Sequence, residues 1–246
     1  MGELIAVLSG KGGTGKTSVC AAVASALALD GKRVLCVDCD VGLRNLDISL
    51  AMSDCGALSF LDMCNGGYDI SMASVHPLIP QLHFLTAPTN CQADDIDPVA
   101  FDHFVRKARQ EFDFVFLDAP AGVDAGFRFT AAAADRCILV TGPGPAAVRD
   151  AARVGELLEL TGKTNVRLVV NRVIPRMVSA METTIDDVMD TAGLPLLGII
   201  PEDKNMTLAA VFSRPLLIYS RRCGASDACT RISKRLQGIP VPISLR

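Results

Sequence analysis

Short, almost continuously apolar runs alternate with helical patterns along this chain. Continuous apolar runs are typical of strands that are buried on both faces of a sheet. They predict strands at residues 4–8, 33–38, 82–85, 114–118, 137–141, 166–171 and 196–200. The stretches between them predict helices at residues 19–27, 46–51, 58–64, 98–111, 146–160 and 226–236, with Asp97 as a helix cap. Strands joined by helical connections form a parallel sheet wound on both sides.

Length and composition favour one domain. The chain has 246 residues and is 50% hydrophobic, and doubly wound α/β folds often reach roughly 200–250 residues without dividing. We therefore predict a single doubly wound α/β domain over residues 1–246, with a mainly parallel sheet and helices on both faces. The net charge of −3 gives no electrostatic argument for binding nucleic acid, so no such partner is expected.

The apolar runs also bear on localisation. The first predicted strand starts almost at Met1, which leaves no room for a secretion signal. No apolar run approaches the roughly 20 residues that a membrane-spanning helix needs. We expect a cytoplasmic protein.

Nine cysteines raise the question of a metal or redox site. Cys36 and Cys39 lie on a predicted strand, where residues three apart point to opposite faces, so they are poorly placed to share a metal. Cys223 and Cys229 flank a loop with no histidine nearby to complete a site. We interpret the cysteines as thiols rather than as a cluster or a disulfide.

The segment after the first strand completes the phosphate-binding pattern G-x-x-x-x-G-K-[ST]. Its glycines let backbone N–H groups turn toward an anion, and the following helix adds its positive dipole end. Lys16 is expected to neutralise the terminal phosphates and the Thr17 hydroxyl to bind Mg²⁺. The predicted nucleotide-binding residues of this loop are Gly10, Lys11, Gly12, Gly13, Thr14, Gly15, Lys16, Thr17 and Ser18.

Polar side chains follow several other predicted strands, at the edge where open α/β sheets bind ligands. Asp118 ends a buried strand and is the expected acid on the Mg²⁺ side; the alternative is a helix cap. Asp38 and Asp40 face the same side, where one could organise metal-bound water and the other orient the attacking water. Alternatively, these two acids cap the next turn. Asn171 ends a further strand.

Lys11 makes the loop resemble the deviant Walker A branch of P-loop ATPases, the MinD/ParA family. Within it, residues 38–47 are most similar to the MinD type, and residues 118–122 resemble its second switch segment. Val148–Asp150, Asn171–Arg172 and Ile200–Asp203 resemble later motifs in the same order, up to about the last ten residues. Flagellar-number regulators and ATP-dependent metal- or cofactor-insertion chaperones of the same family are the alternatives.

The resemblance implies a weak, partner-stimulated ATPase that uses ATP and Mg²⁺ and forms a homodimer with ATP to regulate the cell-division site. It implies protein partners of the Min type, an activator and a division inhibitor. Lys11 would reach the partner subunit's phosphates, and Asp40 would help to bind the metal and activate water. Asp118 would sense Mg²⁺.

The remaining implied roles concern the base and the dimer surface. Asn171 would hydrogen-bond the adenine, Arg172 would be a further nucleotide-binding residue, and Pro201 and Asp203 would lie in the loop that packs beside the base. Asp150 corresponds to a position on the family's dimer surface; the equally weighted alternative is a favourable acid in a first helical turn.

Residues 237–246 differ from the amphipathic membrane-targeting helix that the MinD type usually carries. Pro240 and Pro242 are incompatible with a continuous helix there, and no basic stripe lies opposite an apolar one. We expect a non-helical tail, with attachment to the inner face of the plasma membrane left open.

Overall fold

The computed structural model of the chain describes residues 1–174 and 184–244. Within those ranges all strands form one sheet. They are β1 (Glu3–Leu8), β2 (Val34–Asp38), β3 (Ser74–His76), β4 (Ile79–Leu85), β5 (Phe114–Asp118), β6 (Arg136–Thr141), β7 (Val166–Val173) and β8 (Leu196–Pro201). Their order across the sheet is β3-β4-β2-β5-β1-β6-β7-β8.

Helices connect most of these strands. They are α1 (Lys16–Leu29), α2 (Leu46–Leu50), α3 (Phe60–Cys64), α4 (Pro98–Glu111), α5 (Ala125–Ala133), α6 (Pro145–Leu160), α7 (Ile185–Ala192), α8 (Lys204–Val211), α9 (Leu216–Tyr219) and α10 (Gly224–Leu236). As predicted, the side chain of Asp97 caps α4 by accepting the Val99 N–H at 2.9 Å. In the described ranges no helix is long and apolar enough to cross a membrane.

The prediction of a single α/β domain with a mainly parallel sheet is confirmed. β1 lies in parallel between β5 and β6, and β2, β4, β7 and β8 extend the parallel sheet on either side. The exception is β3, which pairs antiparallel with β4 at the edge of the sheet. A strand of three residues with half-exposed Val75 at its centre has no continuous apolar run that would reveal it.

Alternate residues of each central strand belong to different core clusters, because successive side chains point to opposite faces. On β2, Cys36 packs in the cluster that contains α1 and α10, whereas Val37 and the following Cys39 pack in the cluster that contains α4. This placement confirms that Cys36 and Cys39 lie on opposite sides of the sheet. In the described parts of the chain, no group of three or more His, Cys, Asp or Glu could hold a metal ion.

Small side chains bring two helices close to the sheet. Helix α1 is rich in alanine, and every side chain from Val19 to Ala28 is buried. At β8, a Cβ on Gly198 would collide with Ile232 of α10, so glycine permits that helix to pack directly against the strand. Because the parallel strands end at one edge, the segments after β1, β2, β5, β7 and β8 meet there.

Candidate functional site

The loop between β1 and α1 forms a cradle of backbone donors. Gly13 and Gly15 adopt φ of 82° and 84°, in the left-handed region that glycine enters without strain. A Cβ on Gly12 or Gly13 would meet no atom within 4 Å, so the space beside them is open. Among the described residues, the N–H groups of Gly12, Gly13 and Gly15 donate to no oxygen. The helix that follows, α1, begins at Lys16, and its N-cap residue Gly15 supplies no side-chain cap, so the N-terminal end is free for an anion.

Lys16, the first residue of α1, is buried in an ion pair. Its Nζ lies 2.7 Å from Oδ1 of Asp118, and the two side chains are only 6% and 1% exposed. Burial alone would lower the pKa of Lys16, but the charge and hydrogen bond of Asp118 outweigh it and leave that pKa raised. The same Nζ is 3.2 Å from the Thr17 hydroxyl. The predicted lysine, hydroxyl and strand-end acid therefore lie side by side.

Asp38 is fully buried and organises the segment after β2. Its carboxylate accepts the backbone N–H groups of Asp40 at 3.0 Å and of Asn45 and Leu46 at 3.1 Å each. Burial, followed by the charge of Asp118, raises the pKa of Asp38 to about 7, although these hydrogen bonds oppose the shift. Of the two predicted alternatives for this acid, the geometry matches capping of the next turn.

Asp40 lies at the rim of the same site and is half-buried. Burial raises its pKa, the positive charge of Lys16 lowers it, and the charge of Asp118 raises it further, with a net upward shift. Lys16 therefore lies among Asp40, Asp118 and, one strand away, Asp38. Asp40 and Asp118, together with the Thr17 hydroxyl, offer oxygen ligands of the kind that Mg²⁺ binds. Lys16 offers a positive charge for a phosphate chain.

A cavity of about 250 Å³ opens beside the phosphate loop. The predicted residues that line it are Gly15, Ser18, Asn171, Arg172, Pro201 and Asp203. Glu202 also lines it, and this residue stood within the recognised motif Ile200–Asp203. Met206, Thr207 and Ala210 line it too, but they lie on α8, for which no sequence pattern was predicted.

Two of the predicted base-side residues have special backbone or hydrogen-bond geometry. Arg172 has φ of 59°, and its Nε lies 4.0 Å from Glu202 in an exposed pair. Asp203 caps α8 through the Asn205 N–H at 2.9 Å and also accepts the Ala225 N–H at 3.1 Å. Burial opposes ionisation of Asp203, but these hydrogen bonds prevail and its pKa is lowered. Asp203 therefore ties two helices to the end of β8.

Lys11 and Gly10 both contact α6. Lys11 Nζ lies 3.6 Å from Oδ2 of Asp150, with the two side chains 46% and 39% exposed. A Cβ on Gly10 would come within 3.0 Å of Asp150 atoms, so glycine lets the loop pass close to this helix. Asp150 lies in the second turn of α6, which has no acid in its first turn, so the alternative of a favourable first-turn acid is wrong.

A strand–loop–helix with free backbone donors, a buried lysine and strand-end acids defines a P-loop nucleotide-binding protein. Comparisons with known proteins agree: residues 5–216 match the family described as the CobQ/CobB/MinD/ParA nucleotide binding domain. The septum site-determining protein MinD of Synechocystis is 36% identical over 244 residues, which cover 98% of this chain and 92% of that protein.

Two solved structures are similar over nearly the whole chain. A chain of the MinC:MinD cell division protein complex of Aquifex aeolicus has a TM-score of 0.90 and 31% identity, covering 98% of each chain. The septum site-determining protein MinD of Pyrococcus horikoshii, complexed with Mg-ADP, has a TM-score of 0.83 and 26% identity, covering 96% of each chain. This chain therefore belongs to the MinD/ParA nucleotide-binding family, and within that family to the septum site-determining MinD proteins.

Proposed function

We propose that this protein is an ATP-driven switch that forms a dimer with ATP, returns to the monomer after hydrolysis, and thereby regulates placement of the division site. One observation carries the proposal: the loop with free backbone donors leads straight into Lys16, which is buried in its pair with Asp118. That arrangement suits a triphosphate, whose charge can replace the carboxylate as the partner of the ammonium. The relatives favour this branch over the flagellar-number and metal- or cofactor-insertion alternatives.

The site has the groups that Mg-ATP requires. Mg²⁺ would be held by the Thr17 hydroxyl together with Asp40 and Asp118, and when bound it would neutralise charge on the terminal phosphates. Lys16 would turn from Asp118 to the phosphates, which the loop directly before it would hold. Asp40, half-buried at the rim, would orient the attacking water. The Mg-ADP complex of the Pyrococcus horikoshii relative supports the choice of nucleotide and metal.

The base would occupy the cavity between β7 and α8. Asn171 and Arg172 come from the end of β7, and Pro201 and Asp203 from the end of β8. Met206 offers the apolar side chain that a base face packs against. The cavity opens next to Gly15 and Ser18, at the start of α1, so a bound base and its phosphates would be continuous.

Lys11 would supply a positive charge to the nucleotide of a second subunit. Its pair with Asp150 is long and mostly exposed, and such pairs contribute roughly 0–1 kcal/mol. Breaking the Lys11–Asp150 pair so that Lys11 can contact the phosphates bound to a second subunit therefore costs little free energy. A cation delivered in this way favours the charge that develops during phosphoryl transfer.

Regulators of the Min type would act on this dimer. The complex formed by the Aquifex aeolicus relative supports a MinC-like division inhibitor as one partner, and a second protein would stimulate a weak basal ATPase. Residues 239–244 contain no helix, and the last two residues of the predicted tail lie outside the described part of the chain. Peripheral attachment to the inner face of the plasma membrane would then depend on something other than residues 239–244.

Nucleotide binding and turnover measured on three variants test the proposal. Lys16→Ala should abolish ATP binding, because the buried ammonium is the charge that the phosphates need. Asp40→Ala should bind Mg-ATP but stall hydrolysis. Lys107→Ala, on the exposed face of α4, is the matched control and should behave as wild type. Normal ATP binding by Lys16→Ala, or a normal rate for Asp40→Ala, would contradict the assigned roles.

A further inference from the structure

One side chain connects the phosphate loop with the base cavity. Asn171 stands near the end of β7, is only 3% exposed, and lines the cavity beside Gly15. Its amide Nδ2 donates to the backbone carbonyl of Thr14 at 2.8 Å, across 157 positions of sequence. Asn171 therefore contacts the loop from the side of the cavity.

This hydrogen bond fixes the orientation of one peptide group in the loop. No described peptide bond is cis, and in a trans peptide the C=O and N–H point in opposite directions. Because the Thr14 carbonyl is held toward Asn171, the N–H of the next residue, Gly15, points away from it. That N–H belongs to the set that donates to no oxygen of the described residues, so it is free for an anion.

Gly15 is matched to the same contact. It has φ of 84°, and a Cβ built on it would collide with the Asn171 amide nitrogen. Only a residue without a side chain lets the loop come this close to the amide. Asparagine is matched in turn, because the carboxylate of an aspartate would offer the Thr14 carbonyl an acceptor in place of a donor.

We propose that Asn171 is a positioning residue for the phosphate loop: it holds the Thr14 carbonyl so that the Gly15 N–H faces the phosphates. The inference rests on the proposed nucleotide site and deepens it, since it gives a base-side residue a role in recognising the phosphate chain. Ligands that carry a triphosphate but no base therefore depend on Asn171 as well.

The test compares ATP with inorganic tripolyphosphate, a phosphate chain that has no base or sugar. Calorimetric titration of Asn171→Ala should show both affinities reduced, each roughly tenfold for one lost hydrogen bond that orients a charge-binding donor. Met206→Ala is the matched control, because Met206 lines the same cavity but is not bonded to the loop. It should weaken ATP binding and leave tripolyphosphate binding unchanged.

If Asn171→Ala weakened the binding of ATP but not of tripolyphosphate, the positioning role would be wrong, although the proposed nucleotide site would still stand. If the wild type bound no ATP, the proposed function would fail instead. A second readout applies where tripolyphosphate binds too weakly to titrate. The ¹⁵N–¹H resonance of Gly15 in the ligand-free protein should shift in both Asn171→Ala and Asn171→Asp, with the dispersed spectrum of a folded domain retained. An unchanged Gly15 resonance would also overturn the inference.

Discussion

Neutralising Asp118 should destabilise the ligand-free protein far more than neutralising an equally short pair on the surface. In Asp118→Asn the Lys16 ammonium stays 6% exposed but loses its counter-charge. Removing one partner of a buried pair costs about 3–5 kcal/mol. The cost of leaving the ammonium unpaired has an upper limit of similar size. A lysine with the ordinary pKa of 10.5 can lose its proton at pH 7 for about 5 kcal/mol.

A second effect of the substitution reduces that loss. The charge of Asp118 contributes to the raised pKa of Asp38, so its removal relieves a repulsion. We therefore expect Asp118→Asn to lose about 3 kcal/mol, at the lower end of the range for buried pairs.

Urea unfolding at pH 7, without nucleotide and with a chelator, measures this difference. The control is Asp102→Asn, whose pair with Arg106 has the same 2.7 Å separation but side chains that are 56–69% exposed. Its loss should be about 0.5 kcal/mol or less. Equal losses in the two variants, with unchanged m-values, would refute the conclusion that burial makes the Lys16–Asp118 pair important.

Three further predictions concern other parts of the fold. Burial lowers the pKa of His76, whose Nδ1 accepts two backbone N–H groups. As the pH falls, this histidine is therefore protonated in the unfolded chain before it is protonated in the folded one. The free energy of unfolding should decrease as the pH drops below about 6.5. Urea unfolding across pH 5–8 should show the advantage of wild type over His76→Asn shrinking in acid; a constant difference contradicts this. Gly15→Ala should lower the free energy of unfolding by about 2 kcal/mol or more, since φ is positive and the methyl collides with Asn171. Arg235→Met removes three hydrogen bonds to carbonyl oxygens of β8 and residues 241–242, so proteolysis of the segment after α10 should be faster. An unchanged cleavage rate would contradict this prediction.

Most of the fold could be predicted because the central strands are buried on both faces and are therefore continuously apolar. Their observed bounds differ from the predicted ones by no more than three residues. The edge strand Ser74–His76 and the short helix Leu216–Tyr219 could not be found in this way. Such elements are too short for a period to be visible, and tertiary contacts determine them.

The candidate site also has parts that could be predicted from the sequence and parts that could not. The phosphate loop was predictable because its glycines and lysine must occur at fixed spacing, and Asp118 because an acid ending an apolar strand is conspicuous. The sequence alone could not distinguish a capping role of Asp38 from a metal-binding role. The distinction depends on the three backbone N–H groups that donate to its carboxylate, and only the structure shows them. The bond from Asn171 to Thr14 was also inaccessible, because nothing in a single sequence relates positions 157 residues apart.

In the switch proposed here, ATP itself brings two subunits together. Light scattering of the eluted peak on a sizing column tests this most directly, using Asp40→Ala with Mg-ATP so that turnover does not dissolve the complex. We expect twice the monomer mass of 26.0 kDa with ATP, the monomer mass with ADP, and a monomer with ATP when Lys11→Ala is added. A dimer that forms equally with ADP, or that survives the loss of Lys11, would contradict it.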